Sequence, residues 1–119
     1  MLPTEVQMDD CLFCKIARGE IPVKVLASNE HALAFPDLRP VAPTHALVIP
    51  RAHLASLKDA TDWAVLGSMH ALAVQVARDA GLHERGFRTV INTGADAGQT
   101  VFHLHLHLLG GRAMEWPPG

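Results

Sequence analysis

Cysteine is almost missing from this chain: two occur, Cys11 and Cys14, close together in CLFCK. A secreted domain held by disulfides needs more cysteines at wider spacing, so that class is excluded. Long apolar runs are missing as well, and none approaches the roughly 20 residues a membrane helix needs. The opening MLPTEVQMDD is polar and acidic, without the apolar segment of a secretory signal. A soluble, cytoplasmic protein with no membrane partner is expected. There is no cluster of lysine or arginine, and the formal net charge is −2. A protein that wraps nucleic acid is therefore not expected. Phosphate could still be bound locally, by backbone N–H groups and imidazoles. Internal repeats and low-complexity segments are absent too.

What is present suits one globular domain: 119 residues, 49% hydrophobic and 18% charged. CLFCKIARGE reads as a short helix closed by Gly19. After Pro22, residues 23–28 and 32–35 read as a hairpin that turns at Ser28, Asn29 and Glu30. Residues 36–44, PDLRPVAPT, hold three prolines and form a loop of fixed shape. HALVIP, 45–50, is a strand, and HLASLKD one short helical turn. A long helix runs from about Asp59 or Thr61 to Ala80, with Asp59, Thr61 and Asp62 offering N-cap chemistry and Gly81 placed to end it. Leu66, Met69, Ala73, Val76 and Ala80 make its apolar stripe, which Val65, Leu72 and Val74 widen. A helix that apolar is expected to be covered on two sides, by the sheet and by a second subunit. FRTVIN, 87–92, is a strand, TGADAGQT, 93–100, a polar loop, and VFHLHLHLL, 101–109, the last core strand. The order lacks βαβ alternation and favours an α+β fold, with a mainly antiparallel sheet and a helix on one face.

HLHLHLLGG, 103–111, sets His103, His105 and His107 at alternate positions, and strand side chains alternate in direction. The three imidazoles then share a face, with the leucines toward the core. An exposed polar face or a chelating cluster would give the same pattern. The loop just upstream shifts the balance. Gly94 and Gly98 allow close approach of backbone to a ligand. Asn92, Thr100 and free N–H groups are neutral donors suited to phosphate oxygens. Phosphate donors beside a nucleophilic imidazole form a constellation for phosphoryl or nucleotidyl transfer. The cysteine pair reads as half of a zinc site, as a redox pair, or as two reduced thiols; two of the eight histidines would complete a tetrahedral site.

GQTVFHLHLHLLGGRAMEWPPG closely resembles the C-terminal signature of the histidine triad (HIT) superfamily, in its Hint branch of histidine triad nucleotide-binding proteins. The resemblance extends through CLFCKIARGEIP, ALAFPDLRPVAPTHALVIPRAH and INTGADAGQT, over residues 11–119. It implies a single HIT domain with a C-terminal tail, 110–119, behind an N-terminal arm, 1–10. The implied fold is a five-stranded, mainly antiparallel sheet with one long and one short N-terminal helix, in a homodimer whose sheet extends across both subunits. The implied activity is hydrolysis of the P–N bond of AMP- or GMP-linked amines through a nucleotidyl-histidine. A dinucleoside polyphosphate hydrolase or a non-catalytic nucleotide-binding module are the alternatives.

Residue roles follow from the same resemblance. His105 matches the nucleophile, His107 a phosphate-contacting partner, and His45 a histidine close to the triad. Asn92, Gly98, Gln99 and Thr100 match the phosphate-binding loop. Asp37 matches the ribose-hydroxyl acceptor, although alone it reads as a turn aspartate. Leu12, Phe13, Ile16, Phe35 and Leu38 match the purine pocket, although Phe13 and Phe35 alone read as core. Trp116 lies in a tail that reaches the partner's site. No cofactor is implied for catalysis. A structural zinc on Cys11, Cys14, His53 and His103 is implied by relatives with a CxxC, so that His103 is a ligand as well as the first triad histidine. His31, His70 and His83 match no functional position.

Overall fold

The structure, a computed structural model, describes residues 8–119. Residues 1–7 of the expected N-terminal arm lie outside the described residues. The elements are α1 (Leu12–Ala17), β1 (Ala27–Ser28), β2 (Ala32–Pro36), β3 (Thr44–Pro50), a 3-10 turn (Leu57–Asp59), α2 (Trp63–Asp79), β4 (Arg88–Val90) and β5 (Leu106–Gly110). The five strands form one sheet in the order β1-β2-β3-β5-β4, with every neighbouring pair antiparallel. This is the expected α+β architecture, with one long helix and a short N-terminal one. No helix among the described residues is long and apolar enough to cross a membrane.

Register decides what each face of the sheet does. Phe35 lies opposite Leu47, Leu47 opposite His107, and His107 opposite Val90. Side chains directly opposite share a face. The other face therefore carries Ala32, Ala34, Ala46, Val48, Leu106 and Leu108, all at most 1% exposed. On it lies α2, through Leu66, Met69, Leu72, Ala73, Val76 and Ala77. Three of the sheet residues are alanines, which leaves room for the helix to approach. The first face carries Leu33, Phe35, Leu47 and Ile49, covered by Phe13 and Ile16 of α1. His45 and His107 continue this face beyond α1. The triad end is left partly open because α1 is only six residues long.

Local chemistry explains the helix ends. Asp62 caps α2 by accepting the Ala64 N–H at 3.1 Å. Gly81 follows with φ +77°, a conformation that ends a helix and suits glycine. Of the other expected caps, Asp59 serves the 3-10 turn instead, where its carboxylate accepts from the Ser56 hydroxyl at 2.7 Å. The long helix accordingly starts at Trp63, later than the sequence suggests.

Two expected strands are shorter than their sequence runs. The first is β1, which covers only Ala27–Ser28 of 23–28. With Ala27 opposite Ala34, residue 25 would face Pro36, which has no N–H to give. The second is β5, which covers Leu106–Gly110 of 101–109. With Val48 opposite Leu106, Leu104 would face Pro50, which again cannot donate. Leu104 instead gives its N–H to Leu54 O at 2.6 Å. The chain thus joins the sheet only after His105. His103 lies outside the strand, and its ring is fully buried.

Leu106, between the two catalytic candidates, is 0% exposed beneath α2. Leu106→Ala is expected to cost about 3 kcal/mol and to lower the melting temperature by roughly 10 °C in a calorimetric scan.

Candidate functional site

The three histidines of 103–107 divide into a buried one and two that line the open end of the sheet. The His103 ring donates from Nε2 to Pro50 O at 2.9 Å, so its Nδ1 lone pair is free to face the two cysteines. Burial, with His53 and His105 nearby, pushes its pKa down to about 4, so the ring is neutral at pH 7. The backbone carbonyl of His103 accepts the His105 Nδ1–H at 2.8 Å. That bond assigns the His105 tautomer and leaves its Nε2 with an uncommitted lone pair. The rings of His105 and His107 are 5.1 Å apart.

A second chain of bonds assigns the other two rings. The Val41 N–H donates to His45 Nδ1 at 3.1 Å. His45 must then carry its proton on Nε2, which donates to His107 Nδ1 at 2.9 Å. The same N–H lies 3.3 Å from the Asp37 carboxylate. His107 is left with its N–H on Nε2, a donor. Burial lowers the His107 pKa, helped by the neighbouring His105 and His45 rings and opposed by Asp37. His105 therefore presents a lone pair and its neighbour His107 a neutral donor, which is the pairing that attack on phosphorus requires. Asp37 also accepts the Arg39 N–H at 2.8 Å, so this aspartate holds both a turn and an imidazole.

The loop expected to receive phosphate links β4 to the segment bearing His103 and His105. Gly94 and Gly98 take φ +80° and +85°, which close it tightly. Asn92 is half-buried and Thr100 exposed at its two ends. Gln99 is buried beneath it. Its amide oxygen accepts the Gly94 N–H at 2.9 Å, and its amide nitrogen donates to Ala55 O at 2.8 Å and Val101 O at 3.1 Å. The Gln99 side chain thus staples the loop shut. Gln99→Ala is expected to cost about 2 kcal/mol, because three backbone partners lose a half-buried bond. Loss of loop shape should raise KM about tenfold with a smaller change in kcat, as read by steady-state kinetics.

Of the apolar candidates, Phe13, Ile16 and Phe35 are buried and form a floor, with the Phe13 and Phe35 rings edge to face at 5.9 Å. Phe13 also packs edge to face on the His105 ring at 5.3 Å, so the floor reaches the nucleophile candidate. Leu12 and Leu38 are exposed, at 50% and 94%. Trp116 is 82% exposed, and no contact joins it to the histidines of the site. The tail that carries it is tied back where Arg88 donates to Glu115 O at 2.9 Å.

Cys11, Cys14, His53 and His103 bring four ligand atoms within 4.8 Å of one another. His103 Nδ1 is 3.3 Å from Cys11 Sγ and 3.5 Å from Cys14 Sγ, and His53 Nδ1 is 3.4 Å from Cys14 Sγ. Zinc bonds of about 2.0–2.3 Å in a tetrahedron set the ligand atoms roughly 3.3–3.8 Å apart, so these contacts match its edges. The donor set is closed, with no room for a reacting group, as in structural sites. Burial raises the Cys14 thiol pKa, and Cys11 beside it adds to the effect, so a cation is needed to hold a thiolate there. A second group, Asp37, His45 and His107, is equally close but is joined by the hydrogen bonds described above.

The Val41 N–H and the Pro50 carbonyl were not among the sequence candidates, since any residue supplies such groups. The stapling role of Gln99 carries no sequence signal beyond its place between the loop glycines and the histidines.

The description "HIT domain" belongs to the family model that matches residues 18–114. A 14 kDa zinc-binding protein of Zea mays is 45% identical over 119 residues, covering 95% of this chain and 92% of that one. The crystal structure of a HIT family hydrolase from Legionella pneumophila superposes with a TM-score of 0.89 at 50% identity, over 92% of this chain and 100% of that one. A histidine triad nucleotide-binding protein from Candida albicans superposes with a TM-score of 0.79 at 32% identity, over 91% and 83% of the two chains.

Proposed function

The chain belongs to the HIT domain family, and from that premise we propose that it is a purine nucleotide hydrolase of the Hint type, cleaving the P–N bond of AMP- or GMP-linked amines. The observation that carries this reading is the His105 Nδ1–H bond to His103 O, 2.8 Å long, which frees Nε2 beside the donor His107. His105 Nε2 attacks the α-phosphorus, the P–N bond breaks, and the leaving nitrogen takes a proton from solvent relayed through His107 Nε2–H, so that a neutral amine departs and His107 stays neutral. The His103 carbonyl shares the positive charge that develops on the His105 ring. Water then attacks the nucleotidyl-histidine, giving the nucleoside monophosphate and restoring the free imidazole. His107 Nε2–H and the loop of Asn92, Gly98 and Thr100 bind the phosphate oxygens, and Asp37 has lone pairs left for a ribose hydroxyl. The purine lies over Phe13, Ile16 and Phe35, between Leu12 and Leu38. A zinc ion on Cys11, Cys14, His53 and His103 would supply a structural cross-link, and the maize relative, named a zinc-binding protein, supports zinc as the metal.

The same reading includes a cytoplasmic homodimer. Trp63 and Val74 are 62% and 38% exposed on the outer side of α2, beside the exposed small residues Gly67 and Ala71. A second copy covers them, and Trp116 reaches its site. The deciding assay compares an adenosine phosphoramidate with diadenosine triphosphate. Preference for the phosphoramidate is expected. Faster cleavage of the triphosphate, or AMP binding without cleavage of either, would overturn the P–N assignment.

A further inference from the structure

The hydrogen-bond chain that ends at His107 begins outside the site. The Val41 N–H is what forces the His45 proton onto Nε2, and Val41 sits on the loop of three prolines with its side chain 62% exposed. What grips this loop is the C-terminal tail. Arg112 closes a fork on Val41 O, with Nε at 3.3 Å and Nη2 at 3.1 Å. Its remaining nitrogen, Nη1, donates to Ala113 O at 3.1 Å, which holds the guanidinium against its own strand exit. Gly111, at φ +90°, packs so closely that an added Cβ would lie 2.8 Å from Pro43 Cβ. Two consecutive tail residues therefore hold the chain just C-terminal to the peptide N–H that faces His45.

We propose that Arg112 is a positioning residue: by gripping Val41 O, beside the packing of Gly111 on Pro43, it holds the Val41 N–H on His45 and so sets the proton on Nε2 of His107. The logic is one of matched donors and acceptors. With the Val41 N–H in place, His45 Nδ1 must accept, Nε2–H must donate, and His107 Nδ1 must accept in turn. If the loop swings away, His45 can carry its proton on Nδ1. Its Nε2 lone pair then opposes His107 Nδ1, and His107 must move its own proton to Nδ1. The Nε2 that should donate to a phosphate oxygen would then present a lone pair to it. Asp37 favours the productive tautomer but lies farther from His45 Nε2 than His107 does, 3.3 against 2.9 Å. Arg112 touches no reacting atom and acts through Val41 and His45. Its effect on rate rests on the proposed phosphoryl chemistry, whereas its effect on the tautomers does not.

Histidine 15N spectroscopy of the full chain separates the two. In the wild type, His45 and His107 should both show protonated Nε2 and unprotonated Nδ1. In Arg112→Ala their shifts should move toward a tautomer average, and kcat should fall about five- to tenfold with KM changed less than about twofold. Arg112→Lys keeps the charge but not the fork, and should fall between the two. Val41→Pro removes the N–H itself and should reproduce the Arg112→Ala shifts. Wild-type His45 and His107 shifts in Arg112→Ala or in Val41→Pro would overturn the proposal. If Arg112→Ala loses its amide dispersion throughout, Arg112→Lys decides, and wild-type shifts there would overturn it equally. A wild-type protein that cleaves no phosphoramidate would remove the proposed function and leave the tautomer result to stand or fall alone.

Discussion

His105→Ala is expected to lower hydrolysis of an adenosine phosphoramidate by at least about 10⁴-fold, because it removes the atom that bonds to phosphorus. The fold should survive. His105 is half-buried, and the hydrogen bond its ring makes to His103 O is worth about 1 kcal/mol net. A melting temperature within a few degrees of wild type, together with lost turnover, would separate chemistry from stability. Quenching the wild type in alkaline denaturant during turnover, where a P–N bond to imidazole survives, should trap a nucleotide on the protein that His105→Ala never forms. Retention of a tenth of the wild-type rate by the variant would exclude His105 as the nucleophile.

Loss of a metal ligand should have the largest effect on stability. Protein purified without added zinc is expected to hold close to one equivalent, and Cys14→Ser to hold none. Cys14 is 0% exposed in the first turn of α1, so its bonds to a metal would join α1 to His53 and His103. Losing them should cost about 3–5 kcal/mol, or roughly 10–20 °C in melting temperature. The metal-free variant should also become acid-sensitive, and the sign follows from His103. Its folded pKa of about 4 lies below the ordinary 6.5, so below pH 6.5 the unfolded chain takes up a proton that the folded one refuses. Stability is full above pH 6.5, falls toward pH 4 by at most about 3 kcal/mol, and levels off below. Urea midpoints at pH 7.5 and pH 5 would show it. Less than a tenth of an equivalent of zinc in the wild type, with both thiols titratable and a melt unmoved by chelator, would refute the metal centre.

The path from sequence to site differs between the two predictions. Both cysteines and His53 lie in short recognisable strings, and the resemblance to the family named the set before the structure brought its atoms together. His105 and His107 were likewise singled out by alternation and by the family motif. The strand that carries His107 is shorter than the alternation suggests, and His105 lies just outside it. An alternating pattern shows which residues can share a face but not where the ladder runs out of donors, and Pro50 on a neighbouring strand ended it before His105.

By itself the sequence determined the α+β order of elements, the two helices and the candidate residues for the chemistry. Periodicity, caps and turn glycines act within a few residues of one another, so they are legible along the chain. Asp62 and Gly81 bound α2 in that way. Only the tertiary structure decided which atom of each histidine is free. A tautomer is set by the group that faces the second ring nitrogen, and those groups come from distant segments: Pro50 O for His103, and the Val41 N–H, through His45, for His107. The partner of the His105 ring is two residues away, at His103 O, yet the bond forms only because the chain has not yet joined the sheet there. Backbone carbonyls and N–H groups belong to every residue type, so no sequence pattern marks the ones that matter.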